Sequence, residues 1–123
     1  MKQILLVEDD PFLIDIYSTK LKEAGFSVEV VTDGDETFKK LEEKKPDLLV
    51  LDIVLPKVDG WEILKQIKAM QKFKDLKVIL LSNLGQKEEV KKGIRLGATK
   101  YLIKAHYTPS QVVEEIRTCL TEP

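Results

Sequence analysis

The chain has 123 residues, 43% of them hydrophobic and 33% charged, which suits one soluble domain with a real core and excludes a disordered chain. Its net charge of −1, from 20 basic and 21 acidic residues, leaves no electrostatic footprint for nucleic acid or an anionic membrane as partner. The apolar run Ile4-Leu5-Leu6-Val7 is too short for a signal-peptide core or a membrane span, and the single Cys119 excludes an internal disulfide, so a cytoplasmic location is expected.

The first strand is expected over residues 4–7. Asp10-Pro11 then reads as the N-cap and first residue of a helix whose apolar face is Leu13, Ile16, Tyr17, Leu21 and Ala24. Gly25 stands where that helix needs its C-cap. A second strand over 28–31 leads to a helix carrying Phe38 and Leu41, and a third over 48–51 to one carrying Leu64, Ile67 and Met70. The fourth strand, 78–81, precedes a helix with Val90 and Ile94 that Gly97 terminates. After the fifth strand, 101–103, Thr108-Pro109-Ser110-Gln111 combines a capping box with proline at the first helical position, ahead of Val112, Ile116 and Leu120. The first, third and fourth runs are continuously apolar, as in strands covered by helices on both faces. Five βα units in succession therefore predict an open parallel α/β sheet with helices on both sides. A single domain over 1–123 is expected, with no linker, repeat or second domain, so that any output module would be another protein.

In such sheets the working site lies beyond the carboxyl ends of the strands. Glu8, Asp9 and Asp10 follow the first strand, Asp52 the third, Ser82 and Asn83 the fourth, and Lys104 the fifth. Taken singly, Ser82 and Lys104 mean little, Glu8 and Asp9 read as well as solvated or capping residues, and Asp10 before Pro11 is read as a helix cap; Asp52 stands out because it directly follows the apolar run 48–51. Together they bring carboxylates, a hydroxyl and an ammonium to one rim. Clustered carboxylates repel and call for a cation, and an all-oxygen set suits Mg²⁺, which completes its shell with water and phosphate. A carboxylate beside Mg²⁺ can act as a nucleophile toward phosphorus and form an acyl phosphate, with Lys104 balancing charge and Ser82 donating to a phosphoryl oxygen.

These residues, in this order, resemble the receiver domain of two-component response regulators. The landmarks are Glu8-Asp9-Asp10, Leu51-Asp52-Ile53-Val54-Leu55-Pro56 with Asp59-Gly60, Leu81-Ser82, Gly97-Ala98 and Tyr101-Leu102-Ile103-Lys104. The resemblance spans essentially the whole chain. It implies a flavodoxin-like (βα)5 fold with strand order 2-1-3-4-5. It implies Asp52 as the phosphoacceptor, loaded from a phosphohistidine on a sensor histidine kinase or a histidine phosphotransfer protein. Asp9, Asp52 and the backbone carbonyl of Val54 would hold Mg²⁺ (or Mn²⁺), with Glu8 assisting through water. Lys104 would pair with the acceptor and then with the phosphoryl group. Ser82 and Tyr101 would be the switch residues, changing the face made by the fourth helix, fifth strand and fifth helix. A downstream protein would read that face, in a monomer or in a weak phosphorylation-dependent dimer built through it. The chain would dephosphorylate itself slowly without being a dedicated enzyme.

Asp59-Gly60 is read as a turn in which the glycine supplies positive φ before the third helix, with Pro56 stiffening the same loop. Ala105 stands where the family usually has proline. An alanine peptide prefers trans by roughly 3 kcal/mol, so the loop after Lys104 is expected to run differently. Asn83 is bulkier than the residue usual beside the phosphoryl pocket and is expected to alter water access, and so the lifetime of the acyl phosphate. His106 is read as a solvated loop residue, Trp61 as packing, and Cys119 as lying on or beside the packed face of the last helix. The Lys/Glu-rich runs at 39–45 and 86–92 read as solvated helix faces.

Three other readings compete. A protein-interaction module that keeps the fold without phosphorylation would draw on Ala105. A phosphohydrolase of the haloacid dehalogenase type needs a second aspartate two residues after the nucleophile, where Val54 stands. A flavin- or nucleotide-binding sheet needs a glycine- or hydroxyl-rich phosphate loop, where Glu8-Asp9-Asp10-Pro11 would repel phosphate.

Overall fold

The computed structural model describes residues 1–121. Strands and helices alternate strictly along them: β1 (Gln3–Val7), α1 (Pro11–Glu23), β2 (Ser27–Val31), α2 (Gly34–Glu43), β3 (Leu48–Leu51), α3 (Gly60–Ala69), β4 (Lys77–Ser82), α4 (Lys87–Arg95), β5 (Lys100–Ile103) and α5 (Pro109–Thr121). Two short 3₁₀ turns, Gln71–Phe73 and Lys104–His106, follow α3 and β5. All five strands are parallel, in the order β2-β1-β3-β4-β5, so the order reverses between β1 and β3. The flavodoxin-like (βα)5 architecture expected from the resemblance is the observed one.

The three continuously apolar runs are the three inner strands, β1, β3 and β4. Their alternating side chains serve two cores. Leu5, Val7, Leu49, Leu51, Val78 and Leu80 pack against Leu41 of α2, Ile63, Leu64 and Ile67 of α3, and Phe73. Ile4, Leu6, Leu48, Val50, Ile79 and Leu81 face Tyr17 and Leu21 of α1 and Val112, Val113, Ile116 and Cys119 of α5. Each fully covered leucine contributes about 2 kcal/mol of apolar burial, so the central strands are the most strongly specified part of the molecule. The edge strands β2 and β5 are only partly covered, which is why their sequences are more mixed.

Local signals set the element ends. The Asp10 carboxylate accepts from Phe12 N at 2.9 Å, and Pro11 opens α1. Gly25 and Gly97, at φ 95° and 114°, close α1 and α4; Phe26 N donates to Leu21 O and Ala98 N to Gly93 O. Both ends are Schellman caps, for which glycine avoids a Cβ penalty. The capping box is formed as expected: Gln111 N donates to Thr108 Oγ1, and Thr108 N donates to Gln111 Oε1.

Several expectations are corrected. Four strands begin one residue earlier than the apolar runs, and Ser82 is the last residue of β4 rather than the first beyond it. Ile94 is 48% exposed, because α4 packs through Gly93; a Cβ there would meet Leu80 Cδ1 at 2.6 Å and Tyr101 Cδ2 at 2.8 Å. Met70 lies beyond α3 and is exposed. Gly60 does not supply positive φ. The left-handed residue of that loop is Lys57, at φ 69°, inside a tight turn closed by Val58 N donating to Pro56 O at 2.9 Å. Glycine is needed at 60 because the backbones touch: its Cβ would collide with the carbonyl oxygen of Asp52 and sit 2.6 Å from Ile53 Cα. Trp61 packs on the α2/α3 core, as expected, with the Lys92 ammonium 4.4 Å from its ring centroid. Cys119 is buried and His106 exposed.

Candidate functional site

The register of the inner strands builds the site. Val7 pairs with Leu51, so the next residues, Glu8 and Asp52, leave neighbouring strands side by side. Ser82 pairs with Ile103, so Lys104 follows directly beyond it. Parallel strands ending at one level thus deliver an acid, an acid, a hydroxyl and an ammonium to the same rim.

Asp52 is 6% exposed; one carboxylate oxygen accepts from Ile53 N at 2.7 Å and the other from Lys104 Nζ at 3.0 Å. Its own N–H donates to Val7 O at 3.0 Å, which fixes it to the end of β1. Glu8 is 2% exposed and lies 2.7 Å from the same ammonium, while its second oxygen accepts from Asp10 N at 3.2 Å. Asp9 is exposed. Oxygens of Glu8, Asp9 and Asp52 lie within 4.8 Å of one another. Asp10 takes no part in that group; it caps α1. Val54 follows on the exposed loop after Asp52.

Lys104 and Glu8 respond differently to their shared ion pair. Burial alone would lower the lysine, but hydrogen bonds and charges from Glu8 and Asp52 outweigh it and hold the ammonium above its ordinary range. Burial pushes the Glu8 carboxyl up, Lys104 pulls it down, and the charge of Asp52 pushes it up again, leaving it raised. The lysine does not fully neutralise two buried acids. One ammonium against three carboxylates leaves a hard, oxygen-only cluster with unbalanced negative charge. That donor set fits Mg²⁺ or Mn²⁺ and lacks the imidazole and thiolate ligands of zinc sites.

Ala105 follows Lys104 in the loop beyond β5. No described peptide bond is cis, and residues 104–106 turn as a 3₁₀ segment. The lysine reaches Asp52 nonetheless.

Ser82 is fully buried, and its hydroxyl oxygen accepts from Leu84 N at 3.2 Å. The Tyr101 hydroxyl donates to the Leu84 carbonyl. Burial first, and then the charge of Glu89, raise the Tyr101 phenol; the Ser82 hydroxyl opposes them. Leu84 therefore links the two switch candidates through its backbone, which no side-chain signal in the sequence could announce. Asn83, between Ser82 and Leu84 in the chain, is exposed. Gly93 is the other contributor the sequence reading missed. A mid-helix glycine, unfavourable by about 1 kcal/mol, was the available hint of close packing against Tyr101.

A parallel sheet whose order reverses between β1 and β3, with an acidic cluster beyond its carboxyl edge, defines a flavodoxin-like α/β domain with a cation-ready rim. A family model of the response regulator receiver domain matches residues 4–117, and the chain belongs to that family. Switching by phosphorylation is the general function of these domains, and they bind Mg²⁺ or Mn²⁺ at an acidic pocket. The alkaline phosphatase synthesis transcriptional regulatory protein PhoP of Bacillus subtilis (strain 168) is 34% identical over 119 residues, 97% of this chain and 48% of that protein. The chain thus spans about half the length of the curated relatives it matches. Among solved structures, a putative response regulator from Chloroflexus aurantiacus superposes with TM-score 0.91 at 26% identity, covering 98% of each chain. The Mn²⁺-bound form of response regulator Rcp1 superposes with TM-score 0.86 at 27% identity, covering 96% of this chain and 93% of that one. No described helix is long and apolar enough to cross a membrane.

Proposed function

We propose that this chain is a phosphorylation-controlled signalling switch in which Asp52 is the acceptor. The supporting observation is a buried Asp52 carboxylate held 3.0 Å from Lys104 and grouped with Glu8 and Asp9. A phosphohistidine on a sensor kinase or a phosphotransfer protein is the donor. A carboxylate oxygen of Asp52 attacks phosphorus, the P–N bond breaks, and the imidazole leaves with the electron pair and takes up a proton. Glu8, Asp9, Asp52 and the Val54 carbonyl would hold Mg²⁺, which when bound neutralises charge on the phosphoryl oxygens. Lys104 supplies a second, fixed positive charge at the acceptor.

Ser82 donates to a phosphoryl oxygen. That draws on a hydroxyl already bonded to Leu84 N, so the residue 82–84 segment moves with it. Tyr101, bonded to the Leu84 carbonyl, follows, and Gly93 passes the change to α4 by direct packing. The phosphoryl group shifts the population only by its preference for the rearranged face of α4, β5 and α5. A downstream protein or a second copy reads that face. The reading in which the fold binds partners without phosphorylation rested on Ala105, and the Lys104–Asp52 contact weakens it.

The test is incubation with Mg²⁺ and acetyl phosphate followed by intact-mass measurement. A phosphoryl adduct in the native chain that is absent from Asp52→Asn is the expected result. A folded, Mg²⁺-binding protein that takes no adduct from several donors would overturn it.

A further inference from the structure

The backbone that follows Asp52 is short, and its exposed part would wander without outside support. It is pinned near both ends. Gly60 N donates to Ile53 O at 2.7 Å and the two backbones touch there. Between those points runs Val54-Leu55-Pro56-Lys57-Val58, with the positive φ of Lys57 closing the tight turn at 56–58. A non-glycine residue in that region is held by its surroundings rather than by its own preference.

The surroundings are the start of α2. Gly34 N donates to Pro56 O at 3.4 Å, a long bond. Gly34 packs so closely on the turn that a Cβ at position 34 would sit 2.5 Å from Val58 Cβ and 2.7 Å from Val58 O. Gly34 is buried and Asp33 caps the helix beside it, its carboxylate accepting from Glu36 N at 2.9 Å. Leu55 and Val58 are partly buried against the same core as α2 and α3. A helix that supplies no group to the acidic cluster therefore seats the loop that carries Val54, the proposed carbonyl ligand.

We infer that Gly34 is a positioning residue for metal binding: its missing side chain lets the 56–58 turn dock on α2 and so fixes the Val54 segment beside Asp52. The inference rests on the proposed metal ligands. Gly34 touches neither the ion nor the phosphoryl group. Its substitution moves the turn, and the backbone two to four residues upstream moves with it. Groups that orient metal ligands typically change affinity by about 10- to 100-fold when altered, and the lower part of that range applies to an indirect brace.

The experiment is calorimetric titration of the unphosphorylated full chain with Mg²⁺, alongside urea unfolding of each variant in chelator. Gly34→Ala should weaken Mg²⁺ binding about tenfold. Leu41→Ala, a buried truncation farther along α2 from the Gly34 contact, should destabilise the fold while leaving the affinity within a factor of about two. Val58→Gly reaches the same contact from the loop side without adding a clash, and it keeps the test open should Gly34→Ala fail to fold. It should also weaken binding, and the double variant should bind more tightly than the product of the two single effects because the Cβ–Cβ clash at 2.5 Å is removed, leaving the approach to Val58 O. Native affinity in a folded Gly34→Ala, equal loss in Leu41→Ala, or strictly multiplicative effects in the double variant would each overturn the inference. If Gly34→Ala does not fold, native affinity in Val58→Gly overturns it. A native chain that binds no Mg²⁺ would remove the inference and the metal assignment together. Mg²⁺ binding without a phosphoryl adduct would remove only the acceptor reading.

Discussion

The Lys104 ammonium lies 3.0 Å from an Asp52 oxygen although alanine, not proline, occupies the next position. The contact survives because strand register, not the following peptide, carries Lys104 to the rim: Ile103 is paired with Ser82 at the end of β4. The same ammonium holds Glu8 at 2.7 Å, and all three side chains are almost fully enclosed. Removing one partner from such a group leaves uncompensated buried charge and typically costs about 3–5 kcal/mol. Lys104→Met should therefore lower metal-free stability by about 3 kcal/mol, read by urea unfolding. Mg²⁺ should bind this variant more tightly than the native chain, because its competitor for the carboxylates is gone. Weaker binding would contradict the competition.

The raised Glu8 and Lys104 set opposite ends of the pH profile. A carboxyl raised on folding contributes stability that is fully present below the ordinary glutamate value of 4.5 and is lost as pH rises through its folded value. The raised ammonium contributes below 10.5 and loses that contribution only in more alkaline solution. Between those limits Lys104 is constant and Glu8 titrates. In chelator, the stability of Glu8→Gln relative to the native chain should increase as pH climbs from 4.5 toward neutrality. With Mg²⁺ the stabilisation by the ion should grow over the same interval. A flat difference between the two proteins would show that Glu8 ionises freely.

Ser82→Ala separates loading from switching. The variant keeps Asp52 and Lys104, so an intact-mass adduct should still form with acetyl phosphate. It loses the donor to the phosphoryl oxygen and leaves Leu84 N without its acceptor, at a cost of about 1–3 kcal/mol. NMR signals of the Tyr101 ring should then change little on phosphorylation, where the native signals shift. Equal shifts in both proteins would exclude Ser82 as the link.

Two glycines distinguish close approach from backbone freedom. Gly60→Ala meets the Asp52 carbonyl and should lose about 2–3 kcal/mol through overpacking, with Mg²⁺ binding impaired as well. Gly25→Ala, at φ 95° with open space around it, should lose only about 1–2 kcal/mol and leave Mg²⁺ affinity unchanged. Urea unfolding and Mg²⁺ titration of both variants check the pair.

Asn83, exposed beside Ser82, is expected to limit water at the acyl phosphate. Asn83→Ala should shorten the lifetime of the adduct severalfold in a mass-resolved decay after donor removal. An unchanged decay would confine Asn83 to the surface.

The sheet was readable because three short, uninterrupted apolar runs between helical periods look like inner strands, and acids directly after such strands lie on the carboxyl rim. Asp52, Glu8 and Asp9 follow from that placement, and Lys104 from the more mixed fifth run beside the fourth. The loop between β3 and α3 was less readable. Asp-Gly signals either a left-handed residue or a close backbone approach, since both require only a missing Cβ; here Gly60 serves the second need and Lys57 takes the positive φ. Ile94 fits a helical apolar stripe, yet the tight contact at Gly93 rolls α4 so that the isoleucine faces water. Leu84 acts through its amide and carbonyl, to which residue identity is blind. What sequence pattern conveys well is burial, and what it conveys poorly is the backbone atom that touches a neighbour.

Trp61 is the only tryptophan of the chain. It follows Gly60, the residue braced against the carbonyl of Asp52, and its indole lies 4.4 Å below the Lys92 ammonium of α4. Indole emission shifts with the charge and hydration around the ring. The native protein therefore carries its own optical reporter at the seam between α3 and α4, and stopped-flow fluorescence on unlabelled material would time the proposed cation uptake and loading.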